Sequence, residues 1–143
     1  MGWSRLRRLA SRDGLRLVEA ALYLGIARLA VVALPFRVLA PRLGVRRVET
    51  PATAPPHPAT GCVGWAVARA ARRMPWRCEC LEQAIAAKAM LRRRRIASTL
   101  YLGVARDPVA AHAWLRVGSA NVTGGQDVAQ YAIVASFADV EHR

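Results

Sequence analysis

Hydrophobic residues recur at helical spacing through the first two thirds of the chain and at every second position in the last third. The longest apolar stretch covers residues 15–40, where Glu19 and Arg28 interrupt the run. We expect one or two helices here, broken at Pro35, that pack on a core or a partner. A helix on a membrane surface is the second interpretation and a true span the third, since the charges cut the run short of the ~20 apolar residues that a span needs.

Two more helices are predicted in the middle of the chain. Apolar residues recur at intervals of four, three and four over residues 61–74, and Pro75 ends this helix. A further helix with one apolar face is expected over 80–94. Before both, residues 49–59 hold four prolines and no apolar period, which is typical of a linker or an extended arm on the surface.

The last third of the chain predicts an antiparallel sheet. Strands are expected over four segments: 98–104, 111–117, 121–123 and 130–137. Helices followed by a strand meander place the chain in the α+β class. We therefore expect three parts, an N-terminal helical segment at 1–48, a Pro-rich linker at 49–59 and a core domain at 60–143.

Composition narrows the class of protein and of partner. With 143 residues, of which 54% are apolar, the chain can bury a core, which excludes a disordered tail, a collagen and a small disulfide-stabilised protein. The net charge of +13 favours an acidic peptide, anionic lipid or nucleic acid as partner. Nucleic acid is the weakest of these, because no binding motif is present and aromatic residues make up only 6%. Three cysteines and no secretory signal predict free thiols in the cytoplasm.

Cys80 is the first candidate for chemistry. It stands where the predicted 80–94 helix begins, beside unpaired backbone N–H groups and the positive end of the helix dipole, which favour the nucleophilic thiolate. His112 heads a predicted strand that can return across this helix and bring an imidazole to the thiol. A buried structural cysteine and a packed histidine are the alternatives. The cysteine spacing does not match a zinc pattern, so we expect no metal.

Most of the chain resembles a known family of enzymes, the transglutaminase-like cysteine proteases that remove leader peptides in lasso-peptide biosynthesis. The resemblance rests on Cys80 at a helix start, on Gly103 after a strand and on the triplet HAW that begins at His112. It implies N-terminal helices followed by a papain- or transglutaminase-like core with an antiparallel sheet.

The resemblance also implies roles for individual residues. Cys80 would be the nucleophile, and His112 the general base that later protonates the leaving amine. The family orients the imidazole with an aspartate from the strand after the histidine, but Gly124 or Gly125 lies at that place if GSA closes the hairpin. Asp127 is the nearest acid and the candidate for the third catalytic residue, with a solvated turn residue as the alternative.

An oxyanion hole needs hydrogen-bond donors aimed at the developing negative charge. The backbone N–H of Cys80 is the first candidate donor, and the indole N–H of Trp76 is the second, with a core tryptophan as the alternative. Glu79 and Glu82 flank the cysteine, and we expect both to point outward from the helix surface.

By resemblance, the chain would be a peptidase that removes the leader of a lasso-peptide precursor through a thioester on Cys80, without a cofactor. Its implied partners are the precursor leader peptide, a separate leader-recognition protein and a lasso cyclase, and not nucleic acid. The apolar N-terminal helices add peripheral membrane contact as an expectation. The alternative function is a non-catalytic basic module that binds an acidic peptide, lipid or nucleic acid. Acyl transfer to an amine is a third possibility, because it uses the same thioester.

Overall fold

Helices occupy most of the first two thirds of the chain and strands the last third in the computed structural model, which describes residues 2–140. The elements in chain order are α1 (Trp3–Ala33), α2 (Phe36–Leu43), β1 (Val45–Arg46), α3 (Ala59–Arg73), α4 (Cys80–Arg93), β2 (Thr99–Ala105), β3 (Ala110–Val117), β4 (Ala120–Thr123) and β5 (Ala132–Ala138). These helices and the antiparallel sheet confirm the predicted α+β class.

The helices begin and end largely where local signals place them. Helix α1 ends at Ala33, and Pro35, which has no N–H and restricts the residue before it, separates α1 from α2 as predicted. Helix α1 begins much earlier than expected, at Trp3. The bounds of α3 and α4 agree with the predicted helices to within two residues. Within residues 2–140, no helix is both long enough and apolar enough to cross a membrane.

The sheet has the strand order β1-β5-β2-β3-β4, and every pairing is antiparallel. The predicted meander is therefore wrong at its last strand, because β5 pairs with β2 and not with β4. This placement sets Phe137 opposite Leu100, and both side chains are buried. Burial of these apolar side chains in the middle of the sheet gives a physical reason for the crossing.

The core lies between the helices and the sheet. Helix α1 contributes a fully buried face of Ala20, Leu24 and Ala27, which packs against α3 and α4. The sheet contributes Leu100 and Leu115 from its central strands. Small alanines on the helices let their backbones approach closely, so the N-terminal helix is part of the same packed structure as the sheet.

Residues 49–58 form a segment without helix or strand that lies along the sheet, and Ala59 already begins α3. The backbone N–H of Thr50 donates to the Thr99 hydroxyl at 2.9 Å, and that of Ser119 donates to the Ala54 carbonyl at 2.9 Å. These hydrogen bonds tie the first half of the segment to β2 and to the β3–β4 turn. The division of the chain into three parts stays a prediction.

A buried lysine ties α4 to the sheet. The Lys88 ammonium, 1% exposed, donates to the Ser98 carbonyl at 2.8 Å and to the Asp139 carboxylate at 3.1 Å. Arg92 donates to the other oxygen of Asp139 at 2.7 Å. Burial disfavours the charged amine more than Asp139 favours it, which lowers the pKa of Lys88 to about 8.

Candidate active site

Cys80 is the first residue of α4, and its thiol reaches the edge of the sheet. The residue before it, Glu79, has the extended backbone of a helix N-cap, so the chain turns into the helix at the cysteine. The backbone N–H of Ala113 on β3 donates to Cys80 Sγ at 3.4 Å. Ala113 follows His112 directly, so the half-buried thiol contacts the main chain of β3 one residue from the histidine. Among the described residues, no hydrogen bond joins Cys80 Sγ to the His112 ring, whose Nε2 bonds to Gly124 instead.

The His112 ring is held by a main-chain carbonyl. Its Nε2 lies 2.7 Å from the carbonyl oxygen of Gly124, which follows β4. Because a carbonyl only accepts hydrogen bonds, Nε2 must carry the proton and donate it. In the neutral imidazole the other ring nitrogen, Nδ1, is then an unprotonated base.

Aromatic side chains surround the imidazole. Tyr131 lies 4.9 Å and Trp114 5.9 Å from the His112 ring, measured between centroids. Gly103 pairs with His112 across the sheet, and a Cβ there would lie 2.8 Å from the Trp114 ring. The glycine thus makes room for the tryptophan, and the rings restrict the plane of the imidazole.

Trp76 and Glu82 form a partly buried contact near the start of α4. The Trp76 indole N–H donates to one oxygen of Glu82 at 3.3 Å, and Arg28 of α1 donates to the other oxygen at 3.0 Å. The expectation that Glu82 points outward is wrong: its side chain is 1% exposed, because these two donors compensate the carboxylate for lost water. The indole N–H is therefore engaged by Glu82, and its role in an oxyanion hole stays a prediction.

Cys78 differs from Cys80 in its environment. Burial raises the pKa of the Cys78 thiol, and the negative charge of Glu82 raises it further. A raised pKa keeps this thiol protonated at neutral pH, which makes it a poor nucleophile and a suitable comparison for Cys80.

Asp127 lies on the exposed segment between β4 and β5. Among the described residues, no hydrogen bond joins it to His112, and its catalytic role stays a prediction. The turn before it is held instead by two amide side chains, of which sequence reasoning missed Gln126. Asn121 donates to the Gly125 carbonyl at 3.0 Å, and Gln126 donates to the Asn121 carbonyl at 2.8 Å. These bonds fix the segment that presents the Gly124 carbonyl.

In the part of the chain that the structure describes, no group of three or more His, Cys, Asp or Glu side chains is placed to hold a metal ion. At the junction of α4 and β3, Cys80 and His112 contribute a thiol and an imidazole beside main-chain hydrogen-bonding groups.

The arrangement is a thiol at the start of helix α4 that contacts strand β3 of an antiparallel sheet. The chain belongs to the transglutaminase-like superfamily, whose family model matches residues 27–136. Domains of this superfamily are typical of cysteine-peptidase-like proteins. No curated protein and no solved structure matches the chain significantly.

Proposed function

We propose that this chain is a cysteine peptidase that removes the leader peptide from a lasso-peptide precursor through a thioester on Cys80. The observation that carries the proposal is the placement of Cys80 Sγ 3.4 Å from the Ala113 N–H, next to a histidine whose Nε2–H is bound by a carbonyl. The family match supports peptidase-like chemistry, and the sequence resemblance supplies the leader as substrate.

In the proposed first half-reaction, His112 Nδ1 accepts the Cys80 thiol proton and the thiolate attacks the scissile carbonyl carbon. The negative charge then develops on the substrate oxygen. The Cys80 N–H is one of the first N–H groups of α4 and has no acceptor within the helix, so it can donate to this oxygen. Collapse of the tetrahedral intermediate breaks the C–N bond, and the imidazolium gives its proton to the leaving amine.

In the second half-reaction, water attacks the thioester while His112 accepts one of its protons. The C–S bond breaks, the leader leaves with a carboxylate, and the proton returns to the thiolate. An amine in place of water would give the acyl-transfer product from the same thioester, so the product mass distinguishes hydrolysis from transfer.

The Gly124 carbonyl takes the orienting role in this proposal. It selects the tautomer with a proton on Nε2 and fixes the ring through a 2.7 Å hydrogen bond. A carbonyl is neutral, so it stabilises the imidazolium less than a carboxylate would. In the proposed enzyme the histidine is therefore oriented by a carbonyl but lacks the electrostatic support that a carboxylate would give.

The proposed partners follow from the resemblance. A separate leader-recognition protein would deliver the precursor, and a lasso cyclase would close the ring on the released core. The chain's charge of +13 favours acidic stretches in either the leader or the delivering protein.

The test is intact-mass spectrometry of a lasso-peptide precursor incubated with the protein and its recognition partner. We expect one bond to be cut by the wild type and by Cys78→Ala, and no cutting by Cys80→Ala or His112→Ala. The Cys78 variant is the matched control because it removes a thiol two residues away. Cutting by all four proteins, or by none, would contradict the proposal.

A second candidate function is a non-catalytic binding module. The observation that favours it is the neutral carbonyl, in place of a carboxylate, at His112 Nε2. This function predicts that Cys80→Ala binds the precursor as the wild type does and that no protein in the series cleaves it.

A further inference from the structure

Helix α1 has an apolar face on each side. Its inner face is buried against α3 and α4. Its outer face carries six large apolar side chains that are each 59% to 71% exposed, and we call them the outer stripe: Leu15, Val18, Leu22, Ile26, Leu29 and Val32. Single exposed apolar residues are common on protein surfaces, but a continuous row of six marks an interaction site. From Leu15 to Val32 the row is about 25 Å long at 1.5 Å per residue.

The spacing of the outer stripe is that of a helix–helix seam. Leu15, Leu22 and Leu29 repeat every seven residues, and Val18 and Val32 each follow one of these leucines by three. This is the a and d pattern that packs one helix against another. Gly25 takes the remaining d position, and a Cβ there would meet nothing within 4 Å. The glycine leaves space in which a second helix can approach α1 closely.

A groove beside the outer stripe has a basic rim. It encloses about 770 Å³ between α1 and the end of α4, with Leu15, Val18, Leu22 and Ile26 among its lining residues. Its charged lining consists of Arg12, Arg16, Arg93, Arg94 and Glu19. The Glu19 carboxylate is bound by Arg93 at 3.0 Å and Arg94 at 2.8 Å, so its charge is already compensated within the protein. Asp13 binds Arg16 in the same way at 3.0 Å, so four arginines face two carboxylates and the rim keeps a positive excess of two.

From the seam spacing and the basic rim, we infer that the outer stripe binds an amphipathic helix of a different protein, with acidic residues flanking its apolar seam. A second copy of this chain fits less well, because the acidic residues of its α1, Asp13 and Glu19, are already bound by its own arginines. A flat bilayer cannot enter the groove between α1 and α4. The site lies on α1 and the end of α4 and does not depend on the catalytic roles proposed above.

The test uses a labelled synthetic helix about three heptads long, with leucine at positions a and d and glutamate at e and g. Its binding to the full chain is followed by fluorescence anisotropy at about 0.15 M salt, where charges more than about 8 Å apart are largely screened and only those in close contact still act. The same peptide with lysine at e and g is the charge control. We expect the acidic peptide to bind and the basic one not to bind.

Two pairs of substitutions distinguish binding at the outer stripe from nonspecific binding of the peptide elsewhere on the protein. Leu22→Gln with Leu29→Gln changes the stripe, whereas Val104→Gln with Val109→Gln changes two exposed valines on the β2–β3 hairpin. Removing the stripe leucines should raise Kd for the acidic peptide at least about tenfold, because each loses a buried side chain in the complex. The hairpin pair should leave Kd unchanged. Circular dichroism and the unfolding midpoint establish first that each variant is folded.

The rim is tested by Arg12→Glu with Arg16→Glu, which should reverse the preference between the acidic and basic peptides. Failure of the acidic peptide to bind, or equal Kd values for the stripe and hairpin pairs, would overturn the inference. So would a dimer mass by light scattering that the stripe substitutions convert to a monomer mass. Stripe-dependent binding to phosphatidylglycerol vesicles without peptide binding would identify a membrane as the occupant instead.

Discussion

A methyl group added at Gly124 tests whether a main-chain carbonyl orients His112, the proposed general base. Gly124 and Gly125 both have left-handed backbone angles, with φ of 85° and 82°. A side chain strains both positions to a similar degree, by roughly 1–2 kcal/mol. The two sites differ in space: a Cβ at Gly124 would lie 2.5 Å from Trp114 Cβ, whereas one at Gly125 meets nothing within 4 Å. Gly125→Ala is therefore the matched control for Gly124→Ala.

The expected effect follows from these distances. Ordinary contact for a Cβ begins at 3.4 Å, so Gly124→Ala must move the backbone away from Trp114 by about 1 Å. A shift of this size is enough to break the 2.7 Å hydrogen bond from His112. Misplacement of a catalytic group by about 1 Å costs roughly 10²-fold in rate. Overpacking adds about 1–3 kcal/mol of destabilisation at Gly124 alone.

The assay is the kcat/KM of precursor cleavage, with urea unfolding of each variant run in parallel. We expect kcat/KM to fall roughly 10²-fold in Gly124→Ala and to stay within about threefold in Gly125→Ala. The rate at which iodoacetamide alkylates Cys80, mapped by peptide mass, reports the thiolate without a substrate and should fall in the same order. Equal kcat/KM values for two folded variants would refute the orienting role of the Gly124 carbonyl.

Three further predictions concern stability, measured as the free energy of unfolding in urea. Folding lowers the pKa of Lys88 from 10.5 to about 8, so the unfolded chain binds more protons than the folded one between these pH values. The free energy of unfolding should therefore rise by about 3 kcal/mol between about pH 8 and pH 10.5. Lys88→Met should abolish this rise. Asp139→Asn at pH 7 leaves the buried ammonium without its carboxylate and should cost about 3–5 kcal/mol, and a loss below 1 kcal/mol would contradict the role of the pair. Gly25 lies in α1 with open space around it, so Gly25→Ala should stabilise the protein by about 0.5–1 kcal/mol. A Cβ at Gly103 would lie 2.8 Å from the Trp114 ring, so Gly103→Ala should destabilise the protein by about 1–3 kcal/mol.

Local signals predicted the helices of this protein well. The amphipathic period and Pro75 bracket α3, and the apolar face of residues 80–94 matches α4. These features depend on residues only a few positions apart in the sequence. Hydrophobic periodicity reports on separations of this size. The placement of Cys80 at a helix start could be predicted for the same reason.

Features that depend on distant contacts could not be predicted in this way. The pairing of β5 with β2 follows from burial of Phe137 in the assembled core, which the strand pattern does not encode. Glu82 is buried because Arg28, far away in sequence, reaches it from α1. The hairpin register placed Gly124 or Gly125 beside His112, but it did not predict that a main-chain carbonyl would bind the ring, because every residue carries the same group.

The single lysine of this chain is also one of its most deeply buried side chains. Amine-acylating reagents need a neutral amine in contact with solvent, and Lys88 reaches solvent only when α4 separates from Ser98 and Asp139. The rate of Lys88 acylation, measured by mass spectrometry, therefore reports how often this interface opens. Cys80 begins the same helix about two turns earlier. One molecule thus carries an amine whose labelling requires α4 to open and a half-buried thiol on the same helix whose labelling does not.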